Sequence, residues 1–294
     1  MSKDVLEAKY DRLRDSLAGY GSLLVAYSGG LDSSLLLRVA HDMLGDRVLA
    51  VTALSPTYPG QERAAAEALA RALGVRLVTV ETDELEIAGF ADNPPERCYF
   101  CKSELFGELQ AIARDEAIAY VADGSNADDV DDYRPGMQAA CELGVVSPLK
   151  DAGLTKEDIR ALSKRLGLST WDKPASACLA SRFPYGETIT REKLGMVEAA
   201  ESFLKELGFR QVRVRHHGTI ARIEVAPEAI ERLASPAVRA QVVHRLTEIG
   251  YHYVTLDCRG YRTGSMNEVL QDGAGVRRDV AQRPAQGRGL SEGP

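Results

Sequence analysis

The sequence predicts an α/β protein: a Rossmann-like parallel sheet covered by helices, followed by a smaller α+β domain. Residues 22–27 form an apolar run of the kind found in strands that are buried on both faces. Such runs alternate with helical patterns up to residue 122, an order that implies parallel strands joined by right-handed crossovers. A polar stretch that begins at Trp171 breaks this alternation, and a second set of helices and strands follows it.

The individual elements follow from these periodicities in chain order. Spaced leucines predict a first helix over residues 3–18, which ends at Gly19 and Gly21. The other predicted helices cover residues 33–44, 60–73, 102–114, 156–166, 191–207 and 236–249. The predicted strands cover residues 22–27, 47–52, 75–80, 118–122, 210–215, 219–225 and 251–257. Thr155 and Asp158 resemble the two ends of a capping box at the start of helix 156–166.

Four segments result from these patterns. Residues 1–170 form the predicted α/β domain, and residues 171–188 form a polar loop that carries a cysteine. Residues 189–268 form the predicted small α+β domain. Residues 269–294 are rich in Gly, Arg, Pro and Gln and poor in apolar residues, which predicts a disordered tail.

Composition excludes several classes of protein. The chain has 294 residues, of which 45% are hydrophobic and 27% charged, a balance typical of globular proteins. Its apolar runs are far shorter than the ~20 residues that a membrane span needs, and the N-terminus lacks the apolar segment of a signal peptide. We therefore expect a cytoplasmic protein. A net charge of −7 argues against binding of long nucleic acids through the overall field.

A glycine turn between the first strand and the second helix predicts a phosphate site. Gly29 and Gly30 permit close approach of backbone N–H groups to an anion, and the following helix adds unpaired N–H groups. Ser28, Ser33 and Ser34 offer hydroxyl donors, whereas Asp32 is expected to orient the turn or to help hold Mg²⁺. Neither a Walker A loop nor a G-x-G-x-x-G fingerprint is present, so an ordinary βα turn is the alternative.

Five cysteines in a chain expected to be cytoplasmic favour metal-binding or catalytic roles over disulfides. Cys98 and Cys101 form a C-x-x-C at a helix start, where the helix end lowers a thiol pKa, although two inert buried thiols are the alternative. Cys178 lies in the polar loop, where Arg182 would stabilise its thiolate. Cys141 and Cys258 lie in apolar-periodic stretches and are predicted core residues.

The string Ser-Gly-Gly-Leu-Asp-Ser-Ser at residues 28–34 resembles the fingerprint of the ATP-pyrophosphatase (PP-loop) superfamily. That superfamily includes GMP synthetase, NAD synthetase, asparagine synthetase and tRNA thiolation enzymes. The resemblance implies ATP and Mg²⁺, cleavage of ATP between the α and β phosphates, and adenylation of a substrate oxygen. Adenine contacts around Thr52 to Leu54 are expected by fold analogy.

Longer segments resemble one branch, the LarE sulfur transferases of nickel-pincer nucleotide synthesis. These segments are residues 26–34, 93–102, 123–129, 173–186, 212–218 and 221–224. The resemblance implies adenylation of a carboxylate of pyridinium-3,5-biscarboxylic acid mononucleotide, followed by attack of Cys178. Cleavage of the cysteine Cβ–S bond then gives a thiocarboxylate and leaves dehydroalanine. The branch also implies a small-molecule nucleotide partner and a homo-oligomer.

The same resemblance assigns two further sets of residues. Arg213 and Arg215 match a basic pair that binds substrate phosphate, and Glu201 matches the acidic residue beside them. Because side chains alternate along a strand, both guanidinium groups lie on the same face of the predicted strand. The alternative is that this face is an ordinary solvated one. Some members hold a [4Fe–4S] cluster on three thiolates that match Cys98, Cys101 and Cys178, so the resemblance favours a cluster-bound sulfide over self-sacrifice of Cys178.

Three rival functions share parts of this pattern. A PP-loop tRNA thiolase would share the turn and the cysteines, but the acidic net charge argues against it. An ammonia-dependent ligase of the NAD-synthetase type would not need Cys98, Cys101 or Cys178. A nucleotide-binding regulator without catalysis would need neither the cysteines nor the long loop.

Overall fold

A four-stranded parallel sheet organises the first part of the computed structural model, which describes residues 3–129, 135–174 and 177–268. The spatial order of its strands is β3–β2–β1–β4. The strands are β1 (Leu23–Ala26), β2 (Val48–Leu54), β3 (Arg76–Glu81) and β4 (Tyr120–Ala122). All of the pairings between them are parallel, which confirms the predicted α/β class.

Helices cover both faces of this sheet. The first six are α1 (Lys3–Gly19), α2 (Leu31–Leu44), α3 (Gly60–Ala72), α4 (Arg97–Asp115), α5 (Pro135–Glu142) and α6 (Pro148–Asp151). Helix α7 (Lys156–Arg165) also belongs to this part. Three further helices come later in the chain, α8 (Arg191–Glu206), α9 (Ile230–Ala234) and α10 (Pro236–Ile249). Leu23 and Val25 pack in a core with α1, α2, α3 and α7, whereas Leu24 packs in a core with α4 and α5. This alternation explains why β1 is apolar throughout.

A second, three-stranded sheet follows in the order β5–β6–β7. It consists of β5 (Val212–His217), β6 (Ile220–Val225) and β7 (Tyr253–Leu256), with an antiparallel and then a parallel pairing. Its core includes residues from α8, α9 and α10. None of the helices within the described residues is both long and apolar enough to cross a bilayer.

A small apolar core fixes the position of the cysteine-bearing loop, residues 171–188. Leu179 and Phe183 of this loop are buried together with Phe90 from the segment before α4 and Leu194 from α8. The segment between β3 and α4, which contains Phe90, therefore packs against the cysteine-bearing loop. Deleting a buried aromatic side chain such as Phe183 costs about 3–5 kcal/mol of stability, which indicates how firmly this contact is held.

The structure differs from the predicted elements at several points. Helix α4 begins at Arg97 and not at residue 102, so Cys98 and Cys101 lie inside its first two turns. The short helices α5, α6 and α9 were not predicted, since four to eight residues give too little periodicity. The capping box is confirmed: Thr155 Oγ1 accepts from Asp158 N–H at 3.3 Å, and Asp158 accepts from Thr155 N–H at 3.0 Å. The predicted tail, residues 269–294, lies outside the described residues.

The prediction that Cys141 and Cys258 are core residues is wrong, since both are exposed. Ala139 and Ala140 take the buried positions of α5, and the helical rotation turns Cys141 outward. Cys258 lies in a turn two residues after the end of β7.

Candidate active site

The glycine turn between β1 and α2 leaves no space for a side chain at position 29. Gly29 has φ of +61°, and a Cβ atom there would lie 2.5 Å from the Cβ of Ala66 in α3. Gly30 is the N-cap of α2 and, as a glycine, supplies no side chain to satisfy the first N–H groups of the helix. The first N–H groups of α2 are therefore free of a side-chain cap at the carboxyl edge of the sheet, as the predicted phosphate site requires.

The three serines of the turn differ in position. Ser28 is exposed, and its Oγ lies 3.2 Å from Ser33 Oγ, which also accepts from the Ser28 N–H at 3.3 Å. Ser34 is completely buried, so its position does not support the predicted hydroxyl contact with a phosphate. Ser28 is therefore the serine whose side chain reaches solvent at the turn.

Asp32 has one oxygen in an ion pair and one oxygen without a protein partner. Its Oδ2 accepts from Lys156 Nζ at the start of α7. Its Oδ1 is buried and makes no hydrogen bond within the described residues. A single carboxylate oxygen next to a phosphate site is the donor that Mg²⁺ uses together with phosphate oxygens, so the residue fits the implied ion.

The loop after β4 packs closely against the start of α2. A Cβ atom at Gly124 would lie 3.1 Å from the backbone N of Ser33. Asp123, the preceding residue, accepts from Ser147 Oγ at 2.8 Å and from Ser125 Oγ at 2.6 Å. The carboxyl ends of β1 and β4 therefore form two adjoining walls at one edge of the sheet.

Two side chains tie the glycine turn to the rest of this edge. Lys173 Nζ, at the start of the cysteine-bearing loop, donates to the Gly29 carbonyl at 2.9 Å and pairs with Glu62 Oε2 at 2.6 Å. The Tyr58 hydroxyl donates to the Ser28 carbonyl at 2.6 Å. Burial raises the pKa of Tyr58, so this hydroxyl remains a donor at neutral pH.

Cys178 is exposed and connected to the glycine turn through the segment after β2. The N–H of Leu179, the next residue, donates to the Thr57 carbonyl at 2.8 Å. The hydroxyl of Tyr58, the residue after Thr57, donates to the Ser28 carbonyl. Two hydrogen bonds on consecutive residues thus join the thiol-bearing position to the predicted phosphate site.

Cys98 and Cys101 lie close enough to Cys178 for the three thiols to affect one another electrostatically. Desolvation by the surrounding protein first, and the charge of Cys178 second, raise the pKa of Cys98 and raise the pKa of Cys101 to about 12. The predicted lowering of these thiol pKa values by the helix N-terminus is therefore wrong, because desolvation outweighs the helix dipole. Both groups stay protonated at neutral pH unless a metal displaces the proton.

The three thiols are the right kind of ligand for an iron–sulfur cluster. Among the described residues, however, no three His, Cys, Asp or Glu side chains are arranged so that they would hold a metal ion. As they stand, Cys98, Cys101 and Cys178 do not close around a cluster, which stays a prediction of the family resemblance.

Asn93 holds the C-x-x-C helix and the cysteine-bearing loop together. It is fully buried with φ of +54°, a conformation that asparagine tolerates better than most residues. Its Nδ2 donates to the carbonyls of Pro184 at 2.6 Å and Phe183 at 3.3 Å. Its Oδ1 accepts from Arg97, the neighbour of Cys98. The amide group of Asn93 therefore donates to the cysteine-bearing loop and accepts from the start of α4, which fixes the two segments against each other.

Arg182 and Glu201 form a buried, two-bonded ion pair beside Cys178. Arg182 Nε and Nη2 donate to the two Glu201 oxygens at 2.8 and 2.9 Å. Burial alone would raise the pKa of Glu201, but the charge and hydrogen bonds of Arg182 lower it overall. The position matched to an acidic site residue is thus an ionised internal counter-ion for Arg182.

Arg213 and Arg215 are both buried, which excludes the solvated strand face. Arg215 donates to Glu224 Oε2 at 2.7 Å and to the Ser181 carbonyl at 3.0 Å, so it contacts the cysteine-bearing loop directly. Arg213 lies against the ring of Tyr261. Burial, and then the charge of Arg182, lower the pKa of Arg213, and an anionic phosphate would relieve that repulsion.

Sequence reasoning did not assign roles to Tyr58, Glu62, Asn93, Lys156 or Lys173. Each acts through a contact with a residue distant in the chain, so local patterns carry no signal for it. Asn93 and Lys173 lie in segments that carried the family resemblance, which was the only pointer to them.

The parallel sheet, the glycine turn and the uncapped helix together define the class of PP-loop ATP pyrophosphatases. The chain is 42% identical over 267 residues to the pyridinium-3,5-bisthiocarboxylic acid mononucleotide synthase of Lactiplantibacillus plantarum, covering 90% of this chain and 96% of that protein. It therefore belongs to the LarE family of these synthases. It is also 46% identical over 266 residues to an uncharacterized protein of Synechocystis sp., covering 90% of this chain and 99% of that protein.

A more distant relationship supports the superfamily. A glutamine-hydrolyzing GMP synthase component of Thermococcus kodakarensis is 25% identical over 227 residues, covering 70% of this chain and 71% of that protein. No family model matches the chain.

Proposed function

We propose that this protein is an AMP-forming sulfur transferase that converts a carboxylate of pyridinium-3,5-biscarboxylic acid mononucleotide to a thiocarboxylate. The observation that carries the proposal is the hydrogen-bonded path from the Ser28 carbonyl through Tyr58 and Thr57 to Leu179, which keeps Cys178 at the edge where ATP would bind. In a member of the LarE family, a thiol at this place is suited to attack an acyl adenylate.

Each part of the site has a role in this proposal. The glycine turn and the first N–H groups of α2 bind the phosphates of ATP. Asp32 would hold Mg²⁺, which supplies charge neutralisation at those phosphates when bound. Arg213 and Arg215 bind the phosphate of the substrate, and this places its ring carboxylate between the turn and Cys178.

The first candidate source of the sulfur is Cys178 itself. A sulfide carried by a cluster on the three thiols is the second candidate, favoured by their shared location. Cytoplasmic localisation, which is expected from the composition, and a homo-oligomer, which the family resemblance implies, are further parts of the proposal.

Purified protein with ATP, Mg²⁺ and the mononucleotide provides the test. We expect AMP, pyrophosphate and a thiocarboxylate product by mass spectrometry. Cys178→Ala should lose at least about 100-fold of thiocarboxylate formation while pyrophosphate release persists, since adenylation precedes thiol attack. Cys141→Ala is the matched control, because that exposed thiol lies on α5, and it should leave both rates unchanged.

Three outcomes decide between the alternatives. No AMP with this substrate contradicts the proposed function. A thiocarboxylate formed by anaerobically prepared, iron-containing protein in which Cys178 keeps its sulfur supports the cluster-bound sulfide. Full product formation by Cys98→Ala and Cys101→Ala with loss of sulfur from Cys178 supports Cys178 as the source.

A further inference from the structure

The segment after β7, residues 257–268, folds back over the two strands that carry the buried arginines. The Tyr261 N–H donates to the Val225 carbonyl at the end of β6 at 2.8 Å. Gly260 packs so closely that a Cβ atom there would lie 2.9 Å from the same carbonyl oxygen. Because β6 pairs directly with β5, the segment has a fixed place beside Arg213 and Arg215.

Ser265 of this segment is buried and lies between Arg215 and its counter-ion, Glu224. Its Oγ accepts from Arg215 Nη2 at 3.0 Å and donates to Glu224 Oε1 at 3.1 Å. The same Nη2 also donates to Glu224 Oε2 at 2.7 Å, so both of its N–H groups are used. The Nε of Arg215 is buried and has no hydrogen-bond partner among the described residues. An anion that reached this charged donor would satisfy it.

Arg182 shows what Ser265 changes at Arg215. Both Nε and Nη2 of Arg182 donate to one carboxylate, Glu201, so that edge of the guanidinium group is fully used. Glu224 pairs with Arg215 through Oε2 alone, and its Oε1 accepts from Ser265. The serine hydroxyl thus occupies the oxygen that a second bond to Arg215 would need, and Nε remains for another partner.

Tyr261 of the same segment covers the other arginine. The guanidinium carbon of Arg213 lies 5.3 Å from the centroid of the Tyr261 ring. Burial, and then the charge of Arg182, lower the pKa of Arg213, so a neutral group that attracts a cation is favourable here. An aromatic face against a planar guanidinium group also limits the directions in which that group can turn.

We infer that Ser265 and Tyr261 are positioning residues for the phosphate of the substrate, an assignment that rests on the proposed function. Ser265 prevents Glu224 from taking Nε and Nη2 of Arg215 together. Tyr261 holds the guanidinium group of Arg213 in one orientation. Charged N–H groups of both arginines therefore stay available to one phosphate, and neither positioning residue has to contact that phosphate itself.

The test compares the mononucleotide with the corresponding nucleoside, which lacks the phosphate, in ATP-dependent pyrophosphate release. Ser265→Ala should raise the KM for the mononucleotide about 10-fold, because Glu224 can then occupy the Nε of Arg215. The kcat, the KM for ATP and the kcat/KM for the nucleoside should not change. Ser265→Thr, which keeps the hydroxyl, should restore most of the affinity. Tyr261→Leu should raise the same KM about 5-fold, whereas Tyr261→Phe, which keeps the ring, should not.

Two control variants match these substitutions in type. Ser235 lies between α9 and α10, and its Oγ donates to the Arg232 carbonyl at 2.8 Å. Tyr253 is an exposed residue of β7. Ser235→Ala and Tyr253→Leu should leave the KM for the mononucleotide unchanged. Calorimetric binding of inorganic phosphate gives a measurement that needs no turnover, and Ser265→Ala should weaken that binding about 10-fold.

Other outcomes overturn the inference in distinguishable ways. Equal losses with the mononucleotide and the nucleoside, or a fall in kcat alone, would mean that Ser265 only holds the segment in place. An unchanged KM for the mononucleotide in Ser265→Ala would also reject its positioning role. Absence of AMP in the wild-type protein would reject the proposed function itself. Inorganic phosphate then decides the inference: binding weakened by Ser265→Ala supports it, and unchanged binding rejects it.

Discussion

The glycine turn and the cysteine-bearing loop lie at the same edge of the molecule, but they are held in place by different means. The turn at Gly29 and Gly30 is shaped by its own backbone, and α2 supplies the N–H groups behind it. The loop around Cys178 has no regular element among its described residues except one short 3₁₀ helix. Its position depends on side chains from other segments, namely Asn93 and Glu201.

This difference separates two kinds of function. A phosphate site needs N–H groups at fixed positions, which a strand, a turn and a helix supply without distant contacts. A thiol that must meet a substrate carbon needs a loop whose carbonyls and charges are set by several segments. The turn is therefore sensitive to added volume, and the loop is sensitive to lost hydrogen bonds.

The largest effect is expected from adding a methyl group at the turn. Gly29→Ala combines a positive φ with a Cβ atom 2.5 Å from Ala66 Cβ, so the turn must shift. Displacement of the phosphate site by about 1 Å should lower ATP-dependent pyrophosphate release by about 100-fold. Steady-state assays of pyrophosphate release measure this loss.

Two further variants separate the clash from the backbone strain. Gly21→Ala has φ of +73° but open space around its Cβ, so it should cost about 1 kcal/mol of stability and little activity. Adding Ala66→Gly to Gly29→Ala should restore part of the lost rate. Wild-type activity of the Gly29→Ala protein would contradict the conclusion that the turn is sensitive to added volume.

A smaller, selective effect is expected at Asn93. Asn93→Gly keeps the left-handed backbone but removes the bonds to Phe183, Pro184 and Arg97. The free energy of unfolding should fall by about 2–4 kcal/mol, because buried carbonyls lose their donor. Thiocarboxylate formation should fall about 10-fold with the KM for ATP nearly unchanged, since the turn is independent of this contact.

Asn267→Gly is the matched control for that variant. Its side chain accepts a hydrogen bond from Tyr185 at the same loop, and it is only partly buried. It should change the free energy of unfolding by less than about 1 kcal/mol. If Asn93→Gly raises the KM for ATP as much as it lowers thiocarboxylate formation, the two regions are not independent.

The smallest effect is expected at Asp158, which lies in the first turn of α7, the helix whose Lys156 pairs with Asp32. Burial would raise its pKa, but hydrogen bonds from Lys9 and Thr155 lower it overall. A carboxylate with a lowered folded-state pKa stabilises the fold above its unfolded pKa of about 3.9 and loses that contribution as pH falls through the folded value. Asp158→Asn should therefore cost about 1 kcal/mol at pH 7 and flatten the acid side of the stability curve.

Urea unfolding of both proteins between neutral pH and the acid limit measures this difference. Lys156 is left unchanged, so its ion pair with Asp32 remains and activity at pH 7 should persist. A stability difference that grows on acidification would contradict the lowered pKa of Asp158.

The sequence predicted the turn more completely than the loop. Apolar runs and glycine spacing were sufficient for β1, the turn and α2, because their geometry is local. The C-x-x-C was recognised, but its thiol pKa values were predicted in the wrong direction, since desolvation by other segments is not encoded in neighbouring residues. Cys141 and Cys258 were misassigned because an apolar-periodic stretch does not show which of its residues the helix or the turn directs outward. Asn93 and Lys173 act entirely through contacts across the fold, which no local pattern encodes.

The central claim is that a nucleotide on the glycine turn lies within reach of the Cys178 thiol, and an electrophilic adenosine measures this directly. An adenosine that carries a vinyl sulfonamide in place of the α-phosphate puts a thiol-reactive carbon where an acyl adenylate would form. Peptide mapping should find the label on Cys178, with protection by ATP and none on Cys141 or Cys258. Labelling that misses Cys178, or labelling of Cys178 that ATP does not prevent, would contradict the claim.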